Sequence, residues 1–437
     1  MRRFAIQTLI NWKKNPQKKP MIVQGARQVG KTWLMQEFAK KYYKKAAYIT
    51  FEDKPDIQNI FYKDLDPKRI LQDIEAVIKM KITPEDTLII FDEIQECPKA
   101  LTSLKYFNEN APEYDIVCAG SLLGVTLHTG TSFPVGKVDF MDLYPLSFLE
   151  FLDAIGEWRL VNILESLDFE HIRIFGDTLF RYLRYYFYIG GMPEVVQNFI
   201  EQQDFINVRK IQKRILNSYE QDFSKHIEKN MVERIKMVWQ SVPAQLTKEN
   251  KKFIYGAVKT GGRAKDFELA IAWLRDSGLI HKVHRITKPE LPLKFYEDFD
   301  AFKLFINDIG LLSSLCRVDS KILIENSKIF EEFNGALTEQ YVLQQLKGID
   351  KDIFYWSKEN GKSEIDLMIQ LGENVVPIEA KSGTNLKAKS LLVYTEKYKP
   401  AIAIRTSIAD YKKVNSLYDV PLYAIENFCK KFNVEKV

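Results

Sequence analysis

At 437 residues the chain exceeds what one ordinary hydrophobic core accommodates, so about two to four domains are expected. Its 46% hydrophobic and 28% charged residues exclude a disordered or fibrous chain, and no apolar run reaches the roughly 18 residues that span a bilayer, so no membrane partner is expected. The net charge of +5 is small for this length and by itself implies no polyanionic partner.

The first 45 residues carry twelve Lys or Arg against one acid, Glu37. Such a face can attract phosphate backbones or the negative patch of a neighbouring subunit, or it can simply be a solvated lysine-rich surface. The same segment lacks a long apolar core and a small-residue cleavage site, so it does not read as a signal peptide. Cys97, Cys118, Cys316 and Cys429 lie far apart without metal spacing, the usage of a reducing compartment. A cytoplasmic location is expected.

Over residues 21–140 short apolar runs alternate with longer amphipathic stretches. MIVQG, AAYITFE, TLIIFDE and DIVCAGS predict strands, with KVDFMDLYPLSF as a fifth. Helices are expected over KTWLMQEFAKKYY, over IQNIFYKDLDPKRILQDIEAVIKMK and over ALTSLKYFNENAP. This alternation predicts a parallel sheet flanked by helices on both faces. From about residue 148 to 240 the period is helical, broken at Gly190, Gly191 and Pro193. Residues 241–330 read as two helices followed by a β-wing, the order of a winged helix-turn-helix, with Gly278 stopping the second helix. The last hundred residues predict a helix, NGALTEQYVLQQLK, then strands FYWSK, SEIDLMIQ, VVPIEAKS and AIAIR.

Gly25-Ala26-Arg27-Gln28-Val29-Gly30-Lys31-Thr32 matches G-x-x-x-x-G-K-[ST], with a predicted strand before it and a helix after it. In such a loop the glycines let backbone N–H groups wrap phosphates, and the helix N-terminus adds partial positive charge. Lys31 would reach the β- and γ-phosphates of ATP, and the Thr32 hydroxyl would ligate Mg²⁺. Four apolar residues, Leu88–Phe91, end in Asp92 and Glu93 at the edge of the sheet where α/β sites lie. Asp92 is expected to hold Mg²⁺ through water and Glu93 to polarise the attacking water. Ser121, after the next strand, is a candidate to orient that water, with a helix N-cap as its alternative role. No arginine finger is assigned from the sequence; in such enzymes a neighbouring subunit or another domain usually supplies it, and the first case makes a homo-oligomer an expected partner.

The segments GARQVGKT, FDEIQ, AGSLLG, LYPLSFLEF and YIGGMPEVV together resemble prokaryotic AAA+ ATPases that carry a C-terminal domain of unknown function. The resemblance extends through GGRAKDFELAIAWLRDSGLIHKV and FKLFINDIGLL. It implies an ATPase core over residues 1–147, a helical lid over 148–240, a winged-helix region over 241–330 and a smaller restriction-endonuclease-like α/β domain over 331–437. Lys137 stands where such sequences usually have Arg.

In SEIDLMIQLGENVVPIEAKS a two-residue turn at Gly372-Glu373 predicts a hairpin register that sets Asp366 opposite Glu379, with Lys381 on the same face. Two facing carboxylates repel, and a divalent cation would relieve them. Asp…Glu-x-Lys on adjacent strands is the pattern of PD-(D/E)xK nucleases, with Glu339 resembling their additional acid; a lysine salt bridge on a solvated sheet is the alternative. Arg263, Lys265 and Arg275 can meet DNA phosphates, although Asp266, Glu268 and Asp276 dilute that charge. His281 and His284 face opposite sides of one strand and make a poor metal pair. Tyr182, Tyr185, Tyr186, Phe187 and Tyr188 can stack on bases or form core. The reading as a whole is an Mg-ATP-hydrolysing switch or motor coupled to DNA. Its rival is a regulatory ATPase of signalling or defence whose C-terminal domain only binds protein.

Overall fold

The computed structural model describes residues 1–120, 134–224, 229–248, 251–320, 330–349, 352–358, 363–383 and 388–434. By internal contacts the chain divides into two units. One holds residues 3–144 with 276–279, the other residues 1–2, 145–275 and 280–437.

In the first unit, strands β1 (Met21–Gln24), β2 (Lys45–Thr50), β3 (Thr87–Asp92), β4 (Asp115–Gly120) and β5 (Asp139–Asp142) form an all-parallel sheet of order β2-β3-β4-β1-β5. Every residue of β3 and β4 is buried, which is why both read as unbroken apolar runs rather than alternating ones. Around the sheet run α1 (Ile6–Lys14), α2 (Lys31–Tyr42), α3 (Pro55–Lys63), α4 (Pro67–Ile78) and α5 (Pro98–Asn110). Ile22, Ile89, Phe91 and Ile116 of the strands pack with Ile70, Ile74, Leu104 and Phe107 of the helices in one core.

The single long helix expected over residues 57–81 is two helices. Pro67 cannot continue α3 because it lacks an N–H, but it suits a first helical position. Asp66 caps the new start by accepting from Arg69 N at 3.3 Å.

In the second unit, β6 (Ile280–Ile286), β7 (Glu297–Ile306), β8 (Phe354–Ser357), β9 (Glu364–Leu371), β10 (Asn374–Ala380), β11 (Ala403–Ser407), β12 (Lys412–Val414) and β13 (Leu417–Pro421) form one mixed sheet of order β12-β13-β11-β10-β9-β8-β6-β7. The strands expected as a wing, β6 and β7, are antiparallel partners, but β6 also pairs in parallel with β8. The expected boundary at residue 330 therefore falls inside a continuous sheet. The β9–β10 hairpin has the expected register, Asn374 opposite Leu371 through Ile378 opposite Leu367.

The expected break at Gly190-Gly191 separates helices Gly176–Ile189 and Pro193–Gln202. Gly190 has φ +75° and ψ −166°, a region open in practice only to glycine. A Cβ on Gly191 would sit 2.1 Å from Leu146 O. Buried Asp308 ties this break to helix Ile309–Leu315, which it caps, accepting from Gly191 N at 2.6 Å and Leu311 N at 2.9 Å. Tyr186, Phe187 and Tyr188 are buried core residues, with Tyr186 edge-on to Phe148 and Tyr341.

Candidate functional site

The loop from Gly25 to Gly30 leaves β1 at the carboxyl end of the sheet and opens α2. Gly25 takes φ +146°, and a Cβ there would lie 2.2 Å from Leu143 O, so only glycine fits this crossing. Gly30 at φ +92° forms the N-cap of α2. Gln28, at φ 68°, holds the same left-handed half of backbone space without being glycine, a strain typical of functional loops.

Lys31 is buried at 6% exposure and folds back over the loop, donating to Gly25 O at 2.9 Å and Ala26 O at 2.8 Å. An ammonium has three donors, so one remains beyond these two. Burial pushes the Lys31 pKa down from 10.5 to about 8, against the opposing pull of Glu93 and Asp92.

Thr32 Oγ1 donates to Asp92 Oδ2 at 2.7 Å, joining the helix start to the end of β3 across 60 residues of sequence. The other Asp92 oxygen accepts from Glu93 N at 3.1 Å. Glu93 itself sits at φ 50°, turned out of the strand, with Gln95 Nε2 donating to its carboxylate at 2.5 Å. Ala26, Arg27 and Val29 complete the loop, and Arg27 lies 3.9 Å from exposed Glu52. Ser121 lies outside the described residues. Lys137 pairs with Glu109 at 3.0 Å, both partly exposed.

Two residues at this site escaped the sequence reading. Tyr48 on β2 donates its hydroxyl to Asp92 Oδ2 at 2.8 Å; burial and then that bond raise its pKa. Its only signal was its place on the strand beside the acid-ended one. Arg3, counted above only among surface cations, is 4% exposed and reaches Val29 O at 2.8 Å. An arginine in a basic stretch before a helix gives no warning of this.

In the second unit the hairpin register brings Asp366 and Glu379 together, and Glu339 from helix Phe330–Lys347 joins them. Asp366 Oδ2 accepts from Ala380 N at 2.9 Å and Lys381 pairs with Glu379 at 2.7 Å. Two more lysines enter from outside the expected motif. Lys251 bonds Glu339, while Lys303 on β7, wholly buried, lies 2.6 Å from Glu364 and 3.5 Å from Glu339.

Burial opposes the charge on Glu339, but Lys251 and Lys303 outweigh it and hold the pKa down at about 2. Burial raises Asp366 well above the carboxylate range, and Glu339 and Glu379 add to that. Glu339 Oε2 and Glu379 Oε2 make no hydrogen bond among the described residues. Nor is any group of three or more His, Cys, Asp or Glu side chains among those residues arranged to hold a metal ion. Ammonium groups of Lys251, Lys303 and Lys381 lie against Glu339 and Glu379.

Arg263, Lys265 and Arg275 are exposed at the two ends of helix Ala264–Asp276. His284 Nδ1 lies 3.2 Å from Asp298 O, and its ring packs on Phe299 and Phe302.

A parallel sheet with a glycine loop at its carboxyl edge, a buried loop lysine, and a threonine bonded to a strand-end aspartate define the class of P-loop ATPase domains. Residues 17–152 match the family model of an AAA domain. Residues 180–322 and 334–425 match two domains of unknown function (DUF8612 and DUF4143). No curated protein matches the sequence.

Among solved structures, a Walker-type ATPase of Pyrococcus abyssi aligns at 14% identity over 72% of this chain and 95% of its own, with a TM-score of 0.45. A signal transduction ATPase with numerous domains and a tetratricopeptide-repeat sensor, from Pyrococcus horikoshii, aligns at 14% identity with a TM-score of 0.27, over 80% of this chain and 45% of its own. Cdc6p of Pyrobaculum aerophilum aligns at 10% identity over 73% and 93%, with a TM-score of 0.25. Among the described residues no helix is long and apolar enough to cross a membrane.

Proposed function

We propose that the first unit binds Mg-ATP at Gly25–Thr32 and hydrolyses it as a switch or motor. The observation that carries this is the constellation of Lys31, Thr32 and Asp92, assembled from the loop and the distant end of β3. The donor set suits a hard divalent cation, a hydroxyl and a carboxylate 2.7 Å apart. When bound, such a cation neutralises phosphate charge.

The chain's own residues divide the remaining work. Loop amides and the α2 terminus cradle the phosphates, and Lys31 directs its remaining donor at the β- and γ-oxygens. Thr32, whose hydroxyl hydrogen points to Asp92 Oδ2, would hold the cation through an oxygen lone pair, and Asp92 would hold it through water. Glu93, held by Gln95, accepts the proton of the attacking water, whose oxygen bonds to the γ-phosphorus as ADP leaves.

Two measurements test this reading. Glu93→Gln should lower kcat about 10²–10⁴-fold with nucleotide affinity retained, since it removes the base and not the grip; a variant turning over at the wild-type rate takes Glu93 out of the mechanism. The affinity should also follow pH. ATP binds the charged lysine, so above the free-state pKa of about 8 a proton must be taken up on binding. Affinity then falls about tenfold between pH 7 and pH 9 in titration calorimetry at constant free Mg²⁺. A flat profile over that range returns Lys31 to ordinary lysine behaviour.

Hydrolysis coupled to DNA is the reading favoured by the exposed cations at residues 263, 265 and 275 and by the basic first 45 residues. A regulatory ATPase whose C-terminal domain does not cut is favoured by the lysines that already neutralise Glu339 and Glu379. The wild-type ATPase rate with and without duplex DNA, with Glu93→Gln as the control, separates them: a rate that rises with DNA supports the first, indifference the second.

A further inference from the structure

Arg3 is buried among the residues that shape the phosphate loop. Its Nη1 donates to Val29 O at 2.8 Å and its Nη2 to Tyr144 O at 2.6 Å. On the opposite side the loop leans on the same stretch of chain. Leu143 N donates to Gln24 O at 2.8 Å, Gln24 Nε2 donates to Asp142 at 2.8 Å, and Gly25 crosses Leu143 O. Residues 142–144 therefore brace the loop at its start directly and at its end through Arg3.

The end matters because of peptide geometry. The Val29–Gly30 bond is planar and trans, so the Val29 carbonyl and the Gly30 N–H point in opposite directions. A guanidinium holding that carbonyl fixes the direction of the Gly30 amide. The neighbouring residue is a glycine at φ +92°, which offers little resistance of its own to rotation of this peptide. Arginine suits the task because its rigid planar fork presents N–H groups in a fixed direction to two carbonyls, Val29 O and Tyr144 O.

We propose that Arg3 is a positioning residue that locks the Val29–Gly30 peptide and so presets the loop for phosphate. The proposal rests on the nucleotide reading of the loop. Freed of Arg3, the peptide samples a flipped state in which the carbonyl faces the ligand, and affinity falls by the fraction of loops so lost.

The test compares wild type, Arg3→Lys and Arg3→Met by titration with ADP and with adenosine, and by amide hydrogen exchange over residues 25–32 without nucleotide. Arg3→Met should bind ADP about tenfold more weakly, with adenosine unchanged and loop exchange faster. Arg3→Lys, which keeps the charge and one bond, should fall between; it also serves if Arg3→Met does not fold. Unchanged exchange over the loop in a folded variant overturns the lock whatever happens to nucleotide. Equal loss of ADP and adenosine overturns it too, since that marks a general loosening of the unit. A wild type that binds no ADP removes the nucleotide reading, and the proposal falls with it.

Discussion

Lys31→Ala is expected to weaken ADP and ATP binding by roughly a hundredfold or more, with the unit still folded. The substitution deletes a charge-assisted contact to the phosphates worth about 1.5–3 kcal/mol. It also leaves the Gly25 and Ala26 carbonyls without the donor that now serves them at 2.9 and 2.8 Å, so the loop loses part of its own scaffold. Each 1.4 kcal/mol is about tenfold in affinity. Titration calorimetry at pH 7 measures this directly, and circular dichroism checks the fold. An alanine variant binding ADP as tightly as wild type would end the assignment of the loop as a phosphate site.

Lys303→Met should destabilise the second unit by about 3–5 kcal/mol, the cost of removing one partner from a buried ion cluster. Lys303 is fully buried, with carboxylates of Glu364 and Glu339 at 2.6 and 3.5 Å and the Tyr355 ring beneath its ammonium. Burial alone would lower its pKa, but Glu339, Glu364 and Asp366 hold it well above the ordinary lysine value. Methionine keeps the bulk and removes the charge, taking from Glu364 a cation 2.6 Å away and leaving Lys251 to balance Glu339 beside Asp366 in a low-dielectric surrounding. Lys381→Met is the comparison. Its side chain is 30% exposed, so solvent replaces much of what is lost and the cost should stay near or below about 1 kcal/mol. Denaturant unfolding of the two variants reads the difference. Equal, small losses would mean that Lys303 does not carry the charge balance of the cluster.

These expectations draw on residues of two kinds. Lys31, Thr32, Asp92 and Glu93 were legible because loop chemistry and strand burial are local: the glycine spacing sets the turn, and an apolar run ending in acids sets the sheet edge. The β9–β10 register was legible for the same reason, a two-residue turn fixing every pair beyond it. The helix expected over residues 57–81 failed where one local signal overrode another, Pro67 stopping a period that otherwise ran on. Arg3, Tyr48, Lys251 and Lys303 were not legible. None lies in a motif, and each acts on a group 26 to 88 residues away or in another strand.

The sequence by itself determined the parallel sheet, the glycine loop at its edge, the acids at the end of β3 and the β9–β10 register, because period, turn chemistry and composition act over a few residues. Only the tertiary structure decided which cations are buried. It turned Arg3 inward to the loop, set Tyr48 on Asp92, and drew Lys251 and Lys303 into the carboxylate cluster around Glu339. The reason is that a charged side chain is stable inside only when groups from distant segments meet it there, and that meeting is a property of the folded chain.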